Sequence, residues 1–164
     1  MVSPDEDLRK RAEAAVAAVP DPELPFLSVA ELGIVREVAV RDGRVEVAIT
    51  PTYTGCPATA VIAADVGAAL RKAGIADARV RTVLAPAWTT DSLSEGARAK
   101  LADAGIAPPG PAARGHVLFD AAPIACPRCG SEATERLSPF GSTPCKALHR
   151  CRACGEPFEA FKCL

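Results

Sequence analysis

Helical patterns of apolar residues mark the first hundred residues at two places. Ser3-Pro4-Asp5-Glu6 has the spacing of a capping box with proline in the first turn, and it predicts an alanine-rich helix to about Val19. A second helix is predicted from Pro57 to about Lys72, stopped by Gly74. Its apolar side chains recur at helical spacing and form one stripe: Ile62, Val66, Ala69 and Leu70.

Strand-like runs lie between and after these helices. IVREVAV (34–40) and RVEVAIT (44–50) are rich in β-branched residues, and Asp42-Gly43 between them is typical of a hairpin turn. A third strand is predicted over 78–84, followed by a helix capped by Ser92 and Glu95. The order α-β-β-α-β-α predicts an α+β fold with helices packed over one face of a small three-stranded sheet.

A stretch rich in proline and glycine, 106–125, separates this part from a cysteine-rich end. Proline removes a helical hydrogen bond and glycine adds backbone freedom, so a long helix is excluded there. We therefore predict an N-terminal domain over 1–105, a linker over 106–125 and a C-terminal module over 126–164. Six of the seven cysteines fall in that last segment, which we call the ribbon.

Charge and hydropathy exclude several classes of protein. The net charge of −1 is too small for a nucleic-acid binder driven by bulk positive charge, and the ribbon itself carries six basic and four acidic residues. No apolar run approaches the roughly 18–20 residues of a membrane span, and charges interrupt the N-terminal region where a signal peptide needs its apolar centre. We therefore expect a cytoplasmic protein, in which cysteines indicate metal or thiol chemistry rather than disulfides.

Two C-x-x-C pairs in the ribbon predict a structural metal site. Four thiolates from two such turns can close a tetrahedron around one zinc ion, and zinc binding would stabilise a module too small to fold on a core alone. A redox dithiol and an iron–sulfur site are the alternatives, and zinc is favoured over iron because the site is closed. Glycine follows each pair, which favours a bend that aims backbone N–H groups at the sulfurs. The predicted ligands are Cys126, Cys129, Cys151 and Cys154.

Two ribbon cysteines, Cys145 and Cys163, are surplus to one tetrahedron. They are either small buried residues or a second thiol site, and they leave open which four of the six cysteines hold the ion. The aromatic residues Phe140, Phe158 and Phe161 are predicted to form the core of the ribbon.

Cys56 stands apart from the other cysteines, between Gly55 and Pro57. We predict that it lies at the N-cap or first position of the second helix, where unpaired N–H groups and the helix dipole favour thiolate and soft metals. A buried structural cysteine is the alternative. Neither His116, in the linker, nor His149, in the ribbon, offers an evident catalytic partner.

Further motifs carry a family resemblance. Asp21-Pro22-Glu23, Leu32-Gly33-Ile34-Val35 and TPTYTGCP (50–57) resemble the SufT-like iron–sulfur assembly family. The two C-x-x-C pairs and several later segments resemble the PaaD branch of that family, the accessory proteins of the bacterial phenylacetyl-CoA epoxidase. These segments are PAWTTD (86–91), GIAPP (105–109), FGSTPCKAL (140–148), EPF (156–158) and FKC (161–163).

The resemblance implies a non-catalytic accessory protein in aerobic phenylacetate degradation. Such a protein would assist assembly or repair of the iron or iron–sulfur centres of the multicomponent phenylacetyl-CoA 1,2-epoxidase, with the oxygenase and reductase components as partners. The family's functional cysteine falls on Cys56, which becomes the candidate carrier of a transient iron ion or cluster. One cysteine cannot hold a cluster alone, so a partner or a second copy of the chain would supply further ligands.

Three other interpretations remain open. The chain could be a structural adaptor of the oxygenase without metal transfer, a zinc-ribbon nucleic-acid binder, or a thiol oxidoreductase that uses one C-x-x-C pair. Loss of Cys56 discriminates the first, the small positive charge of the ribbon disfavours the second, and zinc content tests the third.

Overall fold

The computed structural model describes residues 3–110 and 123–162. His116 and Cys163 lie outside these residues. Contacts divide the chain into two compact units, Met1–Trp88 and Thr89–Leu164. Among the described residues, no helix combines the length and the apolar composition that crossing a bilayer requires.

Two helices and three strands build the first unit. The helices are α1 (Pro4–Ala17) and α2 (Ala58–Lys72), and the strands are β1 (Val35–Arg41), β2 (Arg44–Ile49) and β3 (Ala78–Thr82). The sheet order is β1-β2-β3, with β1 antiparallel and β3 parallel to the central strand. This arrangement confirms the predicted α+β class and its three-stranded sheet.

Local signals place the ends of these elements. The Ser3 hydroxyl accepts a hydrogen bond from the Glu6 N–H at 3.2 Å, so α1 begins where the capping box predicts, although it ends two residues before Val19. Ser28 and Glu31 cap each other's backbone N–H groups in the same manner. Asp42 and Gly43 have φ values of 51° and 75°, as the predicted two-residue hairpin turn requires.

The core of the first unit lies between the sheet and the two helices. The side chains of Val45, Val47 and Ile49 on the central strand are fully buried on one face of the sheet. The residues between them point to the other face. Helix α2 packs on β3, and α1 packs on β1 and α2. The predicted stripe of α2 is buried at three positions, Ile62, Val66 and Leu70, while Ala69 is half-buried.

The second unit combines a short helical segment with a four-stranded sheet. It contains a 3₁₀ turn (Thr90–Ser92), α3 (Glu95–Asp103), β4 (Ile106–Ala107), β5 (Thr134–Ser138), β6 (Lys146–Cys151) and β7 (Pro157–Phe161). The order is β4-β7-β6-β5, in which β6 is antiparallel to both of its neighbours and β4 is parallel to β7.

Helix α3 begins differently from the prediction. Its N-cap is Ser94, whose hydroxyl accepts the Ala97 N–H at 3.0 Å, and not Ser92. Ser92 belongs to the preceding 3₁₀ turn, and Leu93 is extended with ψ of 130°, so the helix cannot start before residue 94. The extended backbone at Leu93 thus places the cap at the second of the two serines.

The structure groups α3 and β4 with the ribbon strands, whereas the sequence assigned them to the N-terminal domain and the linker. Ile106 and Ala107 pair with Glu159 and Ala160 of β7, a long-range contact that local sequence does not encode. Arg98 on α3 donates to the carbonyl oxygens of Thr90 and Pro109 and so joins both ends of this segment. The predicted domain boundaries remain a prediction.

The core of the ribbon is built from small residues, thiols and two of the three predicted phenylalanines. Phe158 and Phe161 are buried, and Phe158 contacts a cluster that contains Ala107, Cys126, Cys151 and Ala160. The prediction for Phe140 was wrong, because its side chain is 62% exposed. A turn after β5, in which the Phe140 N–H donates to the Ser138 hydroxyl, carries this residue out of the sheet.

Candidate functional site

The four cysteines of the two C-x-x-C pairs converge on one point. Their sulfur atoms all lie within 4.8 Å of one another. Across the pairs, the Cys126 and Cys154 sulfurs are 3.8 Å apart and those of Cys129 and Cys151 are 3.5 Å apart. Zinc–sulfur bonds of about 2.3 Å in a tetrahedron require sulfur–sulfur distances of about 3.8 Å. The arrangement therefore fits one zinc ion held by four thiolates.

Each pair sits on a tight turn that ends in glycine. Gly130 and Gly155 have φ values of 74° and 78°, in the left-handed region that favours glycine. Their N–H groups donate to the carbonyl oxygens of Cys126 and Cys151, at 2.8 and 3.0 Å. The two turns are thus equivalent, and each presents two sulfurs to the same side.

Backbone N–H groups of the turns also reach the sulfurs. Hydrogen bonds from the N–H groups of Cys154 and Ala153 lower the pKa of the Cys151 thiol to about 7, against the effect of its burial. At Cys129 the Ser131 N–H acts in the same direction, but the three neighbouring thiols and burial outweigh it and raise the pKa to about 12. Four thiolates this close repel one another unless a cation lies between them, so full deprotonation of the cluster requires a metal ion.

Arginine side chains lie beside the four-thiol cluster. Arg150 and Arg152 both bind the Glu135 carboxylate, with distances of 2.9 Å from Arg150 Nε and 2.8 Å from Arg152 Nη2, and they lower its pKa. These three residues, with Cys151 and Gly155, line an open cavity of about 470 Å³. Arg128 pairs with Glu156 on the other turn. No motif predicted these pairs, because each joins residues 15 or more positions apart.

Cys56 lies at the end of the loop that connects β2 to α2. Thr50 is buried and its N–H donates to the Ile34 carbonyl, while Gly55 turns the chain with a φ of 89°. The prediction for Cys56 was wrong by one residue: the N-cap of α2 is Pro57, and Cys56 precedes it. The Cys56 carbonyl accepts the Thr59 N–H in a tighter turn that leads into the helix.

The Cys56 side chain is half-buried and does not belong to the four-thiol cluster. Within residues 3–110 and 123–162, no group of three metal-binding side chains includes it.

Asp21 of the first motif is a buried carboxylate with a structural task. Its Oδ1 accepts the N–H groups of Glu23 and Leu24, at 2.9 and 2.8 Å, which closes the turn around Pro22. Burial raises the pKa of this carboxyl group although both hydrogen bonds lower it. The sequence indicated a turn here but not the burial of its aspartate.

Cys145 is buried in the ribbon, with its sulfur 3.1 Å from the Thr143 hydroxyl oxygen. It is not among the four clustered thiols. Its predicted companion, Cys163, falls outside the described residues, so the second thiol site remains a prediction. His149 is also buried, and its ring stacks on Phe158 with centroids 5.7 Å apart.

Two protein-family models match separate parts of the chain. An iron–sulfur cluster assembly protein family matches residues 9–85, and the PaaD zinc beta ribbon domain matches residues 111–162. The first match spans the Cys56 loop, and the second spans the four clustered cysteines.

Curated proteins and solved structures give concordant similarities. A protein of Escherichia coli (strain K12) that is named as a subunit of a "Putative 1,2-phenylacetyl-CoA epoxidase" is 42% identical over 153 residues, which cover 92% of this chain and 90% of that protein. "Fe-S protein maturation auxiliary factor YitW" from Bacillus subtilis (strain 168) is 33% identical over 99 residues, 59% of this chain and 96% of that protein. The crystal structure of a DUF59 domain of unknown function from Bacillus anthracis superposes with a TM-score of 0.55 at 28% identity, covering 59% of this chain and 93% of that one.

Proposed function

The chain belongs to the PaaD family of phenylacetyl-CoA epoxidase subunits, and we propose that it is a non-catalytic subunit that assists assembly or repair of the epoxidase's iron or iron–sulfur centres. Its partners in this proposal are the oxygenase and reductase components. The four clustered cysteines hold a structural zinc ion, and Cys56 binds the iron or cluster that is passed on.

The thiol of Cys56 carries this proposal. It is partly exposed at a helix start, it lies outside the four-thiol cluster, and it falls in the segment that matches the iron–sulfur assembly family. A relative of that segment is named a maturation factor for iron–sulfur proteins. The thiol is therefore free to bind a soft metal transiently.

The isolation of Cys56 from any metal-binding cluster, within the part of the chain that the structure describes, gives the proposal a definite form. No group of three metal-binding side chains includes Cys56 there, so in this proposal a cluster or iron ion is shared with a partner or with a second protomer. Such incomplete coordination suits a transfer site, because the ligand set is completed only in a complex.

Metal and sulfide content tests the proposal. Wild type, Cys56→Ala and Cys145→Ala are produced together with the epoxidase components, purified anaerobically and separated from those components, which hold iron of their own. Zinc, iron and acid-labile sulfide are then measured in each variant. We expect one zinc per chain in all three, and iron in the wild type and Cys145→Ala but not in Cys56→Ala. Cys145→Ala is the matched control, since it removes a thiol that is buried and outside the zinc cluster.

One zinc per chain with no iron in any variant would contradict iron carriage. That result would leave the second candidate function, a structural adaptor of the epoxidase that transfers no metal. In that case Cys56→Ala should support full epoxidase activity in cells, because scaffolding does not need the thiol.

A further inference from the structure

A buried ion pair locks the loop between β5 and β6. Lys146 is only 5% exposed, and its ammonium donates to Glu159 Oε2 at 2.7 Å and to the Ser142 hydroxyl at 2.6 Å. The N–H and hydroxyl of Ser142 in turn donate to the Glu159 carboxylate. Breaking such a network would leave a buried charge unpaired, so the loop has one strongly preferred conformation.

The backbone of the loop fits closely against the same carboxylate. The Gly141 N–H donates to the Lys146 carbonyl at 2.8 Å, and a Cβ atom at Gly141 would lie 2.5 Å from Glu159 Oε1. A side chain at this position would displace the Glu159 carboxylate. The loop is therefore preorganised rather than free to collapse onto the ribbon.

This fixed loop presents an aromatic side chain to solvent. Phe140 is 62% exposed, and Leu137, three residues earlier, is 50% exposed. The Lys162 ammonium lies 4.3 Å from the centroid of the Phe140 ring and donates to the Pro139 carbonyl, so the ring is held from one side. We call Leu137, Phe140 and Lys162 the Phe140 surface. A rigid, exposed aromatic residue has the properties of an interface anchor.

Charge indicates the kind of partner. Four of the six cations of the ribbon pair with carboxylates: Arg128, Lys146, Arg150 and Arg152. In the described residues, neither Lys162 nor Arg136 makes an ion pair, and the Lys162 ammonium lies over the Phe140 ring. The unpaired charge of Lys162 thus borders the exposed Phe140 side chain, and it complements an acidic rim.

We propose that the Phe140 surface docks the chain onto an epoxidase component, with Phe140 in an apolar pocket that is rimmed by carboxylates. This inference rests on the proposed role as an epoxidase subunit and adds the surface that makes the contact. The locked loop lowers the entropy lost on binding, because Phe140 is already held in place.

Binding measurements with matched variants test the docking surface. The oxygenase and the reductase components, purified separately, are the probes for full-length wild type, Phe140→Ser and Phe26→Ser by biolayer interferometry. Phe26 is a suitable control because it is 40% exposed but lies in the first unit. We expect Phe140→Ser to weaken binding to one component by about tenfold or more, and Phe26→Ser by less than about twofold.

Charge reversal provides a second, independent variant. Lys162→Glu should slow association at low salt, and its affinity should improve rather than weaken as salt is added. Zinc content and thermal melting establish that each variant is folded. Equal affinities for Phe140→Ser and Phe26→Ser, or no binding of the wild type to either component, would overturn the docking proposal.

Cys56→Ala separates this inference from the proposed function. It should bind the component with wild-type affinity while losing iron. If Phe140→Ser loses affinity but Cys56→Ala keeps its iron, the docking surface stands and iron carriage by Cys56 fails. If the reverse holds, iron carriage stands and the docking surface fails.

Discussion

The two units of the chain are each stabilised by a different kind of core. The first unit has a fully buried aliphatic core from sheet and helices, including Val45, Val47, Ile49, Val66 and Leu70. The buried cluster of the ribbon has five members, of which two, Cys126 and Cys151, are thiols of the four-cysteine cluster. Apolar burial alone can order the first unit, whereas we expect the ribbon to depend on the ion that its thiols fit.

This difference agrees with the different tasks that we propose for the cysteines of the two units. In the ribbon, replacing Cys126 or Cys151 would remove a proposed metal ligand and part of the core together. In the first unit Cys56 is half-buried beside a core that does not include it. A thiol that the fold does not require can be kept for chemistry.

Loss of one zinc ligand should have the largest effect on stability, and that effect should be confined to the ribbon. Cys151→Ser should lose its zinc and unfold the ribbon, because Cys151 is fully buried and joins the metal site to the core. Limited proteolysis with mass spectrometry should show new cleavage between 126 and 162 and continued protection of the first unit. Cys56→Ser, the control, should keep one zinc. A zinc-replete, protected Cys151→Ser would refute a metal-dependent ribbon.

Damage to the aliphatic core should destabilise the first unit and leave the zinc site of the ribbon intact. Leu70→Ala on α2 removes a fully buried side chain and should lower the free energy of unfolding of the first unit by about 2–5 kcal/mol, measured by urea titration. Zinc content should stay at one per chain. Val61→Ala, on the same helix but 48% exposed, should change stability by less than about 0.5 kcal/mol. Equal losses for the two variants would mean that α2 does not pack as described.

The buried ion pair of the ribbon should matter less than its metal. Glu159→Gln leaves the Lys146 ammonium without its carboxylate and should destabilise the zinc-loaded ribbon by about 1–3 kcal/mol. The pKa of Glu159 is lowered, despite partial burial, by Lys146 and Ser142. Its contribution is therefore present above the unfolded carboxyl pKa and is lost as the pH falls through the folded value.

Thermal melting of the zinc-loaded protein at neutral pH measures this effect. Glu156→Gln is the matched control, since its partner Arg128 is exposed and such surface pairs contribute little. Equal melting temperatures for the Glu159→Gln and Glu156→Gln proteins would show that the loop is not locked by Lys146.

The smallest effect concerns the cap of α3. Ser94→Ala removes the hydroxyl that accepts the Ala97 N–H and should destabilise the second unit by about 1 kcal/mol. Ser92→Ala should be nearly neutral, since Ser92 does not cap the helix. Urea titration of both variants distinguishes the two serines. A larger loss for Ser92→Ala would reverse the assignment of the cap.

Sequence patterns predicted the features whose geometry depends only on residues close together in the chain. The capping box at Ser3, the Asp42-Gly43 turn and the paired C-x-x-C turns each encode their geometry within a few residues, and each is found as predicted. The fold class followed from the order of these elements.

Features that depend on distant contacts escaped prediction. The capping-box spacing at Ser92 was matched in sequence, but the extended backbone at Leu93 shifted the cap. Phe140 had the apolar character of a core residue, yet the turn in which its N–H donates to the Ser138 hydroxyl carries it out of the sheet. The burial of a lysine and the convergence of two arginines on Glu135 depend on strand register, which no local motif specifies.

The short parallel strand β4 sets limits on how the ribbon can be excised or transplanted. Ile106 and Ala107 cover the edge of β7, and Ala107 is one of the buried core residues. A fragment that starts at residue 111, or at Cys126, would carry all four clustered thiols but would expose that edge as a template for self-association. A fragment that starts at Thr89 keeps α3 and β4. For this chain, the smallest transferable ribbon is therefore longer than the segment that binds the metal.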